Sequence, residues 1–127
     1  MAEDLYAYLD VAKLPSIPED VVHETAFKEF KTQQRIYDFL TVNLKVPEAC
    51  IQKCAGTGLI VDLKGKGGSP QGEDYCIALR ADIDALPMSE NNPHLDYKSV
   101  TDAAHMCGHD GHTTCLLGGI AKISENL

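Results

Sequence analysis

The chain has 127 residues, of which 44% are hydrophobic and 24% charged, and its formal net charge is −8. This balance is typical of one globular domain and excludes a disordered chain. The excess of acidic residues argues against nucleic acid and anionic membranes as partners, because both favour clustered Lys and Arg, and it is compatible with binding cations.

The N-terminal segment, residues 1–22, is predicted to be an extension that precedes the domain proper. Its first ten residues lack the basic and apolar regions of a signal peptide. The sequence also has no apolar run near the length of about 18 residues that a membrane span needs. A cytoplasmic protein is therefore expected, in which the five cysteines are free thiols rather than a disulfide framework.

The first predicted elements are helices separated by a loop. A short helix near the N-terminus is followed by a loop around Pro15 and Pro18. Residues 19–44 are predicted to form a surface helix, because apolar residues recur there at helical spacing. Pro47 ends this helix, since a proline disfavours helical geometry in the residue before it.

The hydrophobic pattern then changes to that of β-structure. Residues 59–63 predict a short strand closed by a glycine turn, and residues 75–83 predict a more apolar strand that is buried on both faces. A final helix is predicted from Gly111 onward, and Cys76 and Cys115 lie in apolar runs as expected core residues. This order of elements predicts an α/β fold in which helices pack on a partial sheet, and the helix at the end of the chain suggests a piece of a larger domain.

The densest group of chemically active side chains is the run AHMCGHDGH, residues 104–112. It contains three of the five histidines and one cysteine, and thiolate and imidazole are ligands that suit Zn²⁺ and related ions. Cys107 and His109 flank Gly108, which permits a tight turn between them. Packing alone does not explain such a density of ligands, so the run predicts a metal site.

A second acidic motif, RADIDALP, follows the predicted buried strand. Asp82 and Asp84 are two residues apart and therefore share one face of the strand end. One of them could bind or orient a ligand while the other holds a metal-bound histidine in place. The alternative is a simple ion pair between these carboxylates and Arg80.

The isolated histidines and the remaining cysteine pair are expected to be structural. His23 and His94 stand alone as histidines in their segments, and an isolated histidine is more often a packing or surface residue than a metal ligand. Cys50 and Cys54 could form a metal clip, but no second pair accompanies them, and structural zinc and thiol redox modules usually have one.

Together, RADIDALPMSE and HMCGHDGHTTCLLGGI resemble the paired signature of metal-dependent amidohydrolases of the aminoacylase-type zinc peptidase family. The branch that is most similar includes auxin-conjugate hydrolases, hippurate hydrolases and N-acyl-amino acid amidohydrolases. The resemblance covers about residues 23–127 and implies the N-terminal part of a zinc-peptidase-like catalytic domain, with the rest of that domain and the dimerisation domain absent.

The resemblance also implies roles for particular residues. Cys107 and His109 match metal ligands of the family, Asp84 matches the catalytic residue that orients the metal site, and Asp82 and His112 could serve as further ligands or as supporting residues. The cofactor would be Zn²⁺ or Mn²⁺, with two ions in a complete site. The family's general base, a glutamate, belongs to a part of the pattern that lies beyond these residues.

The function expected of the complete protein is hydrolysis of the amide bond of N-acyl amino acids or small peptide-like conjugates. The isolated chain is expected to bind metal weakly and to be inactive, because catalytic zinc needs about three protein ligands and a base. The alternative is a truncated paralogue that acts as a structural or interaction subunit. The expected partners are the small-molecule substrate and either a second copy in the full-length form or a protein that covers the exposed half-sheet.

Overall fold

The computed structural model describes residues 23–66 and 76–124. The extension predicted for residues 1–22, with its short helix and loop, lies outside the described residues. In the described part of the chain, no helix is long and apolar enough to cross a membrane.

The first helix of the described residues, α1, spans Phe30–Asp38 and begins later than the helix predicted over residues 19–44. A carboxylate explains this start: the two oxygens of Glu24 accept hydrogen bonds from the backbone N–H groups of Lys31 and Thr32, at 3.0 and 2.8 Å. These N–H groups have no partner within a helix, and a negative charge is favourable at a helix N-terminus. The segment before α1 also turns at Phe27, whose φ is +64°.

Past Asp38 the chain continues as a π-helical turn, Phe39–Asn43. It ends where Lys45 adopts a φ of +57°, which agrees with the predicted end of the helix. Leu40 and Val46 are buried here, and Leu40 is the largest fully buried side chain of the described residues. A 3₁₀ turn, Glu48–Cys50, leads into the sheet.

The sheet of the described residues is a two-stranded antiparallel hairpin. Strand β1, Ile51–Cys54, pairs with β2, Gly58–Val61, and Gln52 lies opposite Ile60. The sequence predicts β2, displaced by one or two residues. It misses β1, because this four-residue run has two adjacent polar residues at its centre and carries little hydrophobic signal.

Two polar side chains of the α1 region attach to the hairpin turn. Glu29 is buried, and its carboxylate accepts a hydrogen bond from the Thr57 hydroxyl at 2.6 Å. The Gln33 amide donates to the backbone carbonyl of Gly58 at 2.9 Å. Burying such groups is favourable only with partners, so these contacts fix the hairpin against α1.

The strand predicted at residues 75–83 is not formed in the described residues. Residues 76–83 form no regular element and pair with no strand among the described residues, and Cys76–Arg80 are exposed. A strand requires hydrogen bonding to an adjacent strand, and the described part of the chain provides none here. The burial predicted for this run is therefore wrong, and so is the core position predicted for Cys76 and Cys115, both of which are exposed.

The last element, α2, spans His109–Ser124, which confirms the predicted helix and starts it two residues earlier. Between the run 76–83 and α2, residues 85–104 are largely irregular. Helices beside a small sheet are consistent with part of an α/β peptidase domain.

Candidate metal centre

A short backbone clamp brings the two sequence motifs together. Leu86 and Ala104 exchange both backbone hydrogen bonds, at 2.9 and 3.0 Å, and the N–H of Ala85 donates to the carbonyl of Glu24 at 2.8 Å. Ala85 and Ala104 are almost completely buried, and their small side chains allow this close approach. The clamp sets the end of the acidic motif beside the turn that starts α2.

A hydrogen bond between Asp84 and His109 is the principal contact of the candidate metal centre. The imidazole Nδ1 lies 2.9 Å from Asp84 Oδ1 and 3.0 Å from the Asp84 carbonyl oxygen. Both oxygens are acceptors, so Nδ1 must carry the proton and donate it. In the neutral ring this leaves Nε2 with a free lone pair, which is the tautomer that a metal ligand requires.

Three possible ligands converge around His109. Its Nε2 lies 3.7 Å from Asp82 Oδ2, and one ligand atom from each of Asp82, His109 and His112 lies within 4.8 Å of the others. Ligands that sit at about 2.1 Å from Zn²⁺ can be up to about 4.2 Å apart. The separation between the Asp82 and His109 atoms therefore fits a shared divalent ion.

The histidines are arranged by helix geometry. His109 and His112 are three residues apart on α2 and consequently lie on one face. Their rings stack with centroids 5.6 Å apart. The His109 side chain is largely buried, with 14% exposed, whereas His112 is exposed, so the group opens toward solvent on the His112 side.

Two contacts hold Asp82 in place. Its carboxylate pairs with the Arg80 guanidinium at 2.8 Å, and its backbone carbonyl accepts a hydrogen bond from the Thr113 hydroxyl at 2.9 Å. The ion pair offered as the alternative role of the acidic motif is therefore present. It does not exclude the metal site, because the other carboxylate oxygen faces His109.

Cys107 stands apart from this group. Its thiol is free and exposed, and it is not among the three residues whose ligand atoms converge. Gly108 has a φ of +81°, a conformation that costs glycine little, and it turns the chain between Cys107 and His109. The tight turn predicted there is confirmed, while ligation by Cys107 stays a prediction.

One contact near the centre has no sequence signal. His105 lies beside His23 with ring centroids 5.4 Å apart, although 82 positions separate them. His94, by contrast, is exposed. Pairing of His23 with His105 depends on the clamp around Ala85, which residue spacing does not reveal.

The residues of this centre lie in a part of the chain that is similar to known proteins. Residues 78–126, which include both motifs, match peptidase family M20/M25/M40. The chain is 42% identical over 103 residues to an uncharacterized hydrolase of Staphylococcus haemolyticus, a match that covers 80% of this chain and 24% of that protein. The chain thus spans about a quarter of the length of this curated relative. No solved structure matches it significantly.

Proposed function

We infer that this chain belongs to peptidase family M20/M25/M40 and forms the N-terminal part of a metal-dependent hydrolase. The observation that carries the proposal is the contact between Asp84 and His109, which lies inside the matched residues 78–126. It prepares one imidazole nitrogen for a metal next to a second carboxylate, as histidine–carboxylate pairs do in metalloenzymes. The hydrolase similarity supports the same reaction class.

Each residue of the centre has a defined task in this proposal. Asp84 holds the proton of His109 Nδ1 and fixes the ring, while His109 Nε2 and the Asp82 carboxylate hold Zn²⁺ or Mn²⁺, with His112 completing the set. Cys107, two residues before His109, is the further ligand expected from the family motif. A bound divalent ion supplies polarisation of the scissile carbonyl and a lowered pKa of its water.

The substrate class that we propose is N-acyl amino acids or small peptide-like conjugates, whose amide bond is hydrolysed by the complete protein. Such a site takes two metal ions in the family pattern. Three donors on one open face are too few for a closed double site, and a general base is needed to activate water. We therefore propose that this chain needs further residues for activity.

A chimera tests this proposal. The matching stretch of the staphylococcal hydrolase is replaced by that of the present chain, and release of free amino acid from a panel of N-acetyl amino acids is followed with and without Zn²⁺ or Mn²⁺. We expect metal-dependent hydrolysis that His109→Ala abolishes and His94→Ala, an exposed control, leaves unchanged. A folded chimera that binds metal but cleaves no member of the panel, while the parent does, contradicts the proposal.

The alternative, a non-catalytic interaction subunit, rests on a different observation. Ile77 and Leu79 are 75% and 61% exposed on the run 76–83, which has no strand partner among the described residues, and an apolar run without a partner favours pairing with another strand. If another protein binds the run 76–83, and substitutions of the metal-binding residues leave that binding unaffected, the subunit role is supported instead.

A further inference from the structure

The pair formed by His23 and His105 is used by neither the metal centre nor the proposed reaction. The two rings are tilted at 54° with centroids 5.4 Å apart. The Nδ1 atoms of both rings are buried and have no hydrogen-bond partner. Buried ring nitrogens normally have a partner, so two orphaned nitrogens on adjacent rings call for a ligand that serves both.

The backbone keeps these rings together. His23 directly precedes Glu24, whose carbonyl accepts from Ala85, and His105 directly follows Ala104, which pairs with Leu86. Both histidines are therefore one residue away from opposite sides of the same clamp. Their separation is set by backbone hydrogen bonds rather than by flexible side chains, and a prearranged pair loses little entropy when it binds an ion.

A carboxylate lies within electrostatic range of His23. Glu90 accepts hydrogen bonds from the backbone N–H of Ser99 at 2.7 Å and from the Asn92 amide at 2.8 Å. These bonds, the Ser99 bond foremost, lower the pKa of Glu90, and the neighbouring His23 contributes in the same direction. Glu90 is therefore a fixed anion whose field reaches His23.

We propose that His23 and His105 form a second metal site, separate from the Asp82, His109 and His112 group, which binds a late first-row transition ion such as Zn²⁺ or Ni²⁺ through the two Nδ1 atoms. Imidazole nitrogens prefer these ions over Mg²⁺ or Ca²⁺. Water completes the coordination, and the Glu90 carboxylate balances part of the charge. The proposal does not depend on hydrolase activity.

Titration of the 127-residue chain with Zn²⁺ alone tests this site. In two-dimensional spectra of the imidazole nitrogens, the Nδ1 resonances of His23 and His105 are expected to shift together, as those of nitrogens that bind one ion do. If both resonances stay in place while those of His109 and His112 shift, the His23–His105 site does not exist.

Variants separate the two sites. His23→Phe keeps a ring against His105 but removes the nitrogen, and it should lower the bound Zn²⁺ by one equivalent, as should His105→Gln. His109→Gln should remove a different equivalent, and His94→Gln none. If His105→Gln fails to fold by circular dichroism, His23→Phe decides alone. Unchanged zinc stoichiometry in a folded His23→Phe overturns the proposal.

Discussion

Asp84 and His109, which are 25 positions apart in the chain, are joined by a hydrogen bond of 2.9 Å between carboxylate Oδ1 and imidazole Nδ1. A second acceptor, the Asp84 carbonyl, lies 3.0 Å from the same nitrogen. One residue thus fixes both the orientation and the tautomer of the other. The chemistry of the candidate centre depends on this contact, because only the tautomer protonated at Nδ1 presents a lone pair toward Asp82.

The first prediction concerns the charge of Asp84. Asp84→Asn keeps the shape of the side chain but removes the negative charge that strengthens His109 as a ligand, so Zn²⁺ affinity should fall by about 10- to 100-fold. Isothermal titration at constant pH measures the change. Asp62→Asn, on an exposed residue beyond β2, is the control. Equal affinity in the Asp84 and Asp62 variants would show that Asp84 does not support a ligand.

A second prediction uses two glycines with opposite backbone requirements. Gly108 has a φ of +81°, and no heavy atom lies within 4 Å of the position that an added Cβ would take. Gly108→Ala should therefore destabilise the chain through backbone conformation alone, by about 1–2 kcal/mol.

The matched control for Gly108 lies within α2. Gly118 is exposed there with equally open space around it, and Gly118→Ala should stabilise the chain by about 0.5–1 kcal/mol. Denaturant unfolding followed by circular dichroism gives both free energies. A Gly108→Ala protein as stable as the parent would mean that a residue with a Cβ can occupy this turn without strain.

Local patterns in the sequence account for much of the centre. The turn at Gly108 and the helix after it follow from residue type and hydrophobic spacing, and the juxtaposition of Asp84 with His109 follows from the resemblance of both motifs to one family. The exposed Cys107 shows the limit of this reasoning: spacing places it near His109 in the chain but does not determine where the thiol points.

Contacts between distant parts of the chain were not predictable in the same way. Glu24 sets the start of α1, and Glu29 holds the hairpin turn, yet each is an ordinary acidic residue in the sequence. The strand predicted over residues 75–83 is the opposite case, a clear local pattern without the contacts that it predicts. Its pattern is that of a buried strand, but burial and pairing require partners that the described residues do not provide.

A third prediction tests the polar attachment of the hairpin. Thr57→Val preserves the shape of the side chain and removes the hydroxyl that donates to the buried Glu29 carboxylate at 2.6 Å. Hydrogen bonds to charged groups contribute about 1.5–3 kcal/mol, and unfolding free energy should fall by that amount.

The control for Thr57 is Thr114→Val on α2. The Thr114 hydroxyl donates to the backbone carbonyl of Asp110 at an exposed position, where water replaces the lost partner, so the change in unfolding free energy should stay within about 0.5 kcal/mol. An equal loss of unfolding free energy in the two valine variants would show that the buried contact with Glu29 stabilises the chain no more than the exposed contact of Thr114 does.

The last prediction concerns competition between an arginine and a metal ion for Asp82. Arg80 is 84% exposed and pairs with the Asp82 carboxylate at 2.8 Å, so this ion pair adds little stability. Its positive charge nevertheless opposes a divalent cation at the same carboxylate. Arg80→Gln should therefore tighten Zn²⁺ binding several-fold at low ionic strength, with almost no change in the free energy of unfolding. The gain should shrink as salt is raised, since exposed charges are screened over about 10 Å at 0.1 M. Lys64→Gln, which removes an exposed positive charge beyond β2, should leave binding unchanged. Weaker binding in the Arg80 variant would show instead that Arg80 orients Asp82 for the metal rather than competing with it.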